Sequence, residues 1–403
     1  MAGQVSIIRG NALELPLADN SVDLIVTSPP YFGLRSYQDG GEHYDGQIGA
    51  EATPTEFVDA LLAATREMVR VLKPSGSIWV NLGDKYVADN RGSGVDVKRG
   101  DAKHAPRGPL GFITGGMRQK SLMGIPWRYA IRCIDELGLI LRAEVIWSKP
   151  NGLPESVTDR VRRSHEHWFH FTLEPRYYSA VDEVREAHAP SSLARMASGF
   201  GRTKWSAETG KSYAAEKVEA NPLGKLPGSV WTIATEPLHV PDHLGIDHFA
   251  AFPTELPRRI ITGWSPREVC SACSEGRRPV VDRERMNTRP LVEAHALHGA
   301  HDGDDRRGFS RGETTATITG YACACPEPTA PTTPGVVLDP FGGTGTTALA
   351  ASVLGRDAIS VDMSADYCRL AEWRTSDPKQ RAKAARVEFD ATTAPMPGQE
   401  PLL

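Results

Sequence analysis

Val336-Val337-Leu338-Asp339-Pro340-Phe341-Gly342-Gly343-Thr344-Gly345-Thr346-Thr347 is a short apolar run, then a glycine-rich turn, then the entry to the helical stretch Ala348 to Leu354. The apolar run is short and rich in β-branched residues, which predicts a buried strand. A strand that turns tightly into a helix N-terminus presents backbone N–H groups to a ligand, and this is how nucleosides are bound at the start of a doubly wound sheet. Gly355 ends the helix, and Asp357 to Val361 reads as the next strand. Asp362 then stands at a carboxyl end, about 20 residues after the glycines, where an acid can hold ribose hydroxyls. The stretch predicts an α/β fold with a doubly wound, mostly parallel sheet.

A second motif lies far upstream. Val22 to Thr27 is apolar enough for a strand and runs into Ser28-Pro29-Pro30-Tyr31. Two prolines remove two backbone donors and fix φ twice, so the carbonyls around Ser28 and Pro29 are rigid and open to an incoming NH₂ group. Ser28 adds a hydroxyl acceptor, and Tyr31 offers a ring face for stacking, with Phe32 as the alternative ring. Taken alone, the run also reads as a proline turn after an edge strand. The glycine turn downstream of it favours chemistry on the amine of a flat ring.

Together these residues resemble the amino-methylating DNA methyltransferases. Asp339 to Thr347 stands where that family has DPFxGxGTT, and Thr27 to Tyr31 where it has its catalytic loop. Further matches are Trp147-Ser148-Lys149-Pro150-Asn151, Pro154-Glu155-Ser156, Asp159-Arg160, His165-Glu166-His167 and His248 to Pro253, so the resemblance spans about Val5 to Arg374. The catalytic motif precedes the cofactor motif, the circularly permuted order of the family's β group. The strands at Val336 and Ala358 are then expected first and second in the sheet, with those at Val5 and Val22 continuing it.

The resemblance implies methyl transfer from S-adenosylmethionine to an exocyclic amine of double-stranded DNA. Cytosine N4 ranks first, because Ser28 is the residue typical of that group, and adenine N6 second. RNA or protein-glutamine methylation and an inactive DNA-binding module are lesser alternatives. Ser28, Pro29, Pro30 and Tyr31 are the implied catalytic residues, acting on a base flipped out of the duplex. Asp339, Phe341, Gly343, Thr344 and Gly345 are expected to face the methionine and ribose parts of the cofactor. Asp362 is expected on the ribose hydroxyls, Phe252 and Pro253 at the methionine end, and Asn11 near the adenine, where the family often has Asp. His165 and His167 are candidates for DNA contact, or for packing. No Pro-Cys pair exists in the chain, which argues against methylation of cytosine carbon 5.

Length and composition agree with this class. At 403 residues and 40% hydrophobic content the chain can build an α/β core and carry a second lobe. Its net charge of −4 places any nucleic-acid binding on a local basic face rather than on the field of the whole molecule. No stretch approaches the ~20 apolar residues of a membrane span, and no basic-apolar leader is present, so a cytoplasmic location is expected. A companion restriction endonuclease, if one exists, is expected as a separate chain. The divisions expected are a catalytic half at 1–150, the remainder of the sheet with a target-recognition region at 151–265, an insertion at 266–334, the cofactor half at 335–375 and a tail. Helices are expected from Thr53-Pro54 to Leu72 and from Pro126 to Leu137, with strands at Ser77 to Leu82 and Leu139 to Trp147. Val87 to Lys120, carrying Arg91, Lys98, Arg99 and Lys103, reads as a surface loop or as a basic lid on DNA phosphates. Ala187 to Leu226, with Asp159 to His165, is the candidate for sequence recognition.

Six cysteines divide into two groups. Cys133 and Cys368 fall in helical patterns and read as core. Cys270, Cys273, Cys323 and Cys325 form a CxxC and a CxC bracketing an Arg-rich stretch, which suits one structural Zn²⁺, with free or loosely paired thiols as the alternative.

Overall fold

All six residues of Val22–Thr27 are buried, as expected of a parallel strand covered on both faces. The computed structural model describes residues 2–33, 38–39, 42–43, 46–87, 112–113, 116–152, 154–197, 204–206, 211–213, 220–246, 251–286, 313–327 and 329–388. Eight strands form the main sheet: β1 (Val5–Arg9), β2 (Val22–Thr27), β3 (Leu72–Leu82), β4 (Ile140–Ser148), β5 (His165–Thr172), β6 (Val230–Thr232), β7 (Val336–Asp339) and β8 (Asp357–Asp362). Their order is β1-β8-β7-β2-β3-β5-β4-β6. Only β5 is antiparallel to its neighbours, so the sheet is mixed but mostly parallel.

The two cofactor-half strands, β7 and β8, lie inside the sheet between strands from the start of the chain. β2 flanks β7 on one side, while β1 pairs with β8 on the other, from Val5 opposite Ala358 to Arg9 opposite Asp362. After β7 the chain leaves toward β8, and after β2 it leaves the other way toward β3. Adjacent parallel strands with diverging exits make a switch point, where α/β sheets open a crevice at their carboxyl ends.

Helices cover both faces. On one, α1 (Pro54–Val71) and α2 (Ile125–Leu137) pack Phe57, Leu61 and Tyr129 against Ile25, Ile78 and Phe169. On the other, α3 (Glu255–Trp264) and α4 (Thr346–Val353) pack Leu256, Ile260 and Ala351 against Leu24, Trp79 and Val337. α5 (Ala365–Ser376) and α6 (Pro378–Ala385) complete this end of the fold. α1 begins with a capping box, Thr53 accepting from Glu56 N and Glu56 from Thr53 N, with Pro54 in the first turn. Lys73 to Gly76 is looped out within β3 and does not interrupt it: Val22 faces Leu72, and Leu24 already faces Ser77.

The chain divides into two compact units, the first being Met1–Ala180, Gly228–Arg277 and Cys325–Leu403. The second, Val181–Pro227 and Arg278–Ala324, contains a long antiparallel ribbon of Arg278–Met286 with Glu313–Ala322, and a helix, Pro190–Ala197, that the sequence pattern did not announce. Arg91, Lys98, Arg99 and Lys103 lie outside the described residues. Among the described residues no helix is long and apolar enough to cross a membrane.

Candidate active site

A cavity of about 790 Å³ opens at the carboxyl edge of the sheet, within the first unit. Residues following β2 (Ser28, Pro30, Tyr31), β7 (Pro340 to Thr344) and β8 (Asp362 to Ser364) line it, as do Asn11 after β1 and Phe252 before α3. The two sequence motifs, some 300 residues apart, therefore share one cavity. Pro29, Pro253, Asp339 and Gly345 do not line it.

Ser28 and Tyr31 are held from the neighbouring strand. Ser28 Oγ donates to Asn81 Oδ1 at 3.2 Å, and the Tyr31 hydroxyl lies 2.7 Å from the same oxygen and 2.8 Å from Glu166 Oε2. Asn81 is fixed in turn, its Nδ2 donating to the His167 carbonyl at 3.0 Å. A serine whose proton goes to an amide oxygen keeps its lone pairs, so the Ser28 oxygen can accept from a group in the cavity. Glu166 also pairs with Lys149, whose Nζ sits 4.1 Å from the Trp147 ring centroid. Gly83 leaves room for the Tyr31 ring: a Cβ there would come within 2.7 Å of Tyr31 Cε2.

The glycine turn is held by the two acids around it. Asp362 accepts from Gly343 N and Ser364 N, each at 2.8 Å, one bond to each oxygen. Asp362 itself lines the cavity, beside the turn it holds. Gly343 has φ of +50°, and a Cβ there would meet nothing closer than the Phe341 carbonyl at 3.8 Å. Its free face is thus a cradle that a side chain would fill. Asp339 departs from expectation. Its side chain is buried behind the turn, accepting from Thr27 Oγ1 at 2.6 Å and Phe341 N at 3.1 Å, and it does not line this cavity. Burial pushes its carboxyl up to about 6, against the hydrogen bonds that favour the ionised form. Asn11 spends its Oδ1 on Leu13 N at 2.9 Å, which leaves its NH₂ as the group available to a ligand.

A sequence model of the DNA methylase family (N6/N4 type) matches residues 22–269 and 330–373, well over half of the chain. The chain belongs to the DNA methylase family. This DNA methylase is 36% identical over 258 residues to the type II methyltransferase M.Cfr9I of Citrobacter freundii, covering 64% of the chain and 71% of that protein. It is 29% identical to the type II methyltransferase M.SmaI of Serratia marcescens, over 91% of the chain and 89% of that protein. Its fold is similar to the solved structure of PvuII DNA methyltransferase (cytosine-N4-specific), with a TM-score of 0.51 at 18% identity, covering 96% and 93% of the two chains. The methylase is thus an S-adenosylmethionine-dependent, amino-methylating enzyme acting on DNA, with the α/β methyltransferase fold.

Several residues of the methylase site escaped sequence reading. Asn81 is one polar residue in the apolar strand run Ile78 to Leu82, and its position just before Gly83-Asp84 was the available signal. Glu166 and Lys149 sit inside runs noted for other reasons, and nothing local shows that they pair. His167 bonds Glu144 Oε1 through Nδ1 at 2.7 Å and stacks near Phe169, while His165 lines the cavity. Among the described residues the buried histidine is His170, stacked on Trp79 and held neutral, its imidazole pushed down to about 3 by burial.

The methylase's cysteines also separate as the sequence suggests. Cys133 and Cys368 are buried in helices. The sulfurs of Cys270, Cys273, Cys323 and Cys325 all lie within 4.8 Å of one another. Cys270–Ser274 turns back on itself, Ser274 N donating to the Cys270 carbonyl at 2.8 Å with Ser274 at φ of +58°. These residues fall in the gap of the family match, between 269 and 330.

Proposed function

We propose that this methylase transfers a methyl group to the N4 amine of cytosine in double-stranded DNA, in the cytoplasm, as the modifying partner of a separately encoded endonuclease. The observation that carries the reading is the Ser28 hydroxyl, which donates to Asn81 and so meets the cavity as an acceptor. An exocyclic amine is a poor nucleophile because its lone pair is delocalised into the ring. Hydrogen bonds from its two protons to Ser28 Oγ and a backbone carbonyl of the Ser28 to Pro30 loop draw the nitrogen toward tetrahedral geometry and return that lone pair. Tyr31, with its hydroxyl tied to Asn81 and Glu166, presents its ring for stacking on the flipped base. Adenine N6 is the second reading, since the same two acceptors can serve its amine. Mass spectrometry of nucleosides from DNA of expressing cells tests the choice: N4-methylcytosine is expected, and N6-methyladenine alone would reverse it. Protection of that DNA from a nuclease of matching site tests the endonuclease pairing.

Asp362 would hold the ribose of S-adenosylmethionine, Phe341 to Thr344 and Phe252 would enclose its methionine part, and Asn11 would lie at its adenine. Bound there, the cofactor supplies an electrophilic sulfonium methyl. The open face of Gly343 fits such a ligand, and Asp362 lines the same cavity. Positioning is the main lever of the chain's own residues, since a rigid Ser-Pro-Pro loop holds the amine in one geometry.

The cysteine cluster is proposed to hold one structural Zn²⁺. Four thiolates about 2.3 Å from a tetrahedral ion stand roughly 3.8 Å apart. Sulfurs already within 4.8 Å of each other fit that shell. Cys325 Sγ also accepts from Glu327 N at 3.4 Å, a bond that steadies a thiolate. Four protein ligands leave no open position, so the ion supports folding only. Metal analysis of the purified protein checks this, with one zinc per chain expected. Segments 187–226 and 159–165 remain the proposed readers of the DNA sequence, tested by exchanging them with those of a relative of different site.

A further inference from the structure

We propose that Arg374 is a positioning residue for the cofactor, fixing the glycine turn from behind through the hydroxyls of Thr344 and Thr346. The inference rests on the cofactor reading above. Arg374 lies on α5, one residue beyond the family match, and is only 3% exposed. Its Nη1 donates to Thr344 Oγ1 at 2.8 Å and to Thr346 Oγ1 at 2.6 Å, the residues on either side of Gly345. Both threonines line the cavity, and Arg374 does not.

Stability is a poor account of this side chain. A buried guanidinium loses its hydration, and replacing buried charge with apolar groups is often neutral or stabilising. Here the Nε has no hydrogen-bond partner, and burial pushes the guanidinium down to about 10. The acid that acts on it, Glu236, is already paired with Lys383 at 2.6 Å. What the buried cation does provide is orientation. Both threonine oxygens accept from it, which fixes their rotamers and directs their protons elsewhere. One turn earlier on the same helix, Ala371 closes on Gly345: a Cβ at Gly345, where φ is +72°, would lie 2.9 Å from Ala371 Cβ. α5 thus grips the turn by contact at Gly345 and by hydrogen bonds on both sides of it, so the ligand meets a turn that needs no ordering.

The test is calorimetric binding of S-adenosylhomocysteine to wild type, Arg374→Gln, Arg374→Lys and Arg381→Gln, with the melting midpoint of each ligand-free protein. Arg381 serves as the comparison because it bonds Ser352 Oγ and the Thr375 carbonyl and leaves the turn untouched. Arg374→Gln is expected to weaken binding about tenfold, with KM for S-adenosylmethionine raised and kcat at saturation retained. Arg374→Lys keeps a cation within reach of both hydroxyls and should restore most of the affinity. Arg381→Gln should lower the midpoint and leave the affinity unchanged. A folded Arg374→Gln protein with wild-type affinity would overturn the proposal. So would an Arg374→Gln chain that fails to fold beside an unaltered Arg374→Lys, which would make Arg374 a stability residue. No binding by wild type would overturn the cofactor reading itself, and the proposal with it.

Discussion

Ser28 donates its one proton to Asn81, and that direction decides what its removal should do. Ser28→Ala deletes an acceptor needed when the amine becomes nucleophilic, so kcat should fall by on the order of tenfold to hundredfold. Cofactor affinity, measured in the same preparation, should be unchanged; wild-type turnover would remove Ser28 from the mechanism. Tyr31→Ala should cost roughly 1 to 3 kcal/mol in binding of the flipped base. Tyr31→Phe, which keeps the ring but loses the bonds to Asn81 and Glu166, separates stacking from orientation in the same DNA titration. Gly343→Val should abolish S-adenosylhomocysteine binding, because valine resists a φ of +50° and its side chain would project into the cradle. Asp339 supplies a pH signature. Its carboxyl ionises near 6 when folded and near 3.9 when unfolded, so between those values the native state holds a proton that the unfolded chain has released. Its contribution to stability therefore falls as pH rises from about 4 to about 6 and is level above that. Asp339→Asn can accept the same bonds without ionising. Denaturant titrations should show wild type losing up to about 3 kcal/mol relative to Asp339→Asn across that window, and a constant difference would exclude the effect.

The ribbon Val269–Cys270 with Thr332–Thr333 is only two residues long on each side, too short to persist unaided. If the four thiolates share an ion, chelation or Cys273→Ser should release this ribbon, seen as faster amide exchange there, while S-adenosylhomocysteine affinity survives. Unchanged exchange after verified metal loss would return the cysteines to ordinary thiols. At this scale the sequence was legible wherever a signal is local. Thr53-Pro54 announced α1, Pro126 marked the first turn of α2, and the two motifs marked the strand ends that line the cavity. What the sequence hid depends on partners far along the chain. Asn81 matters because β3 lies beside β2 and β5, and Arg374 because α5 folds back on the glycine turn. Asp339 was misread for the same reason: its partner Thr27, 312 residues away, turns it from the ligand toward the interior of the fold. Lys73 to Gly76 has the composition of a break, yet the pairing on either side of it lets one strand continue.

In the whole molecule, the permuted order that the motifs revealed has a spatial counterpart the sequence did not specify. β1 is not an extension beyond β2; it lies at the opposite edge, beside β8. The sheet's first strand consequently waits for its last, with Val5–Arg9 pairing only once Asp357–Asp362 has been made. At the usual ribosomal pace of about 5–20 residues per second, that interval is roughly 20 to 70 s. Throughout it β1 is an unclaimed strand edge, and the catalytic loop after β2 exists without the glycine turn that completes its cavity. A nascent chain of this methylase is therefore catalytically silent until the glycine turn and β8 have been made, and in that interval β1 is the strand most in need of chaperone cover.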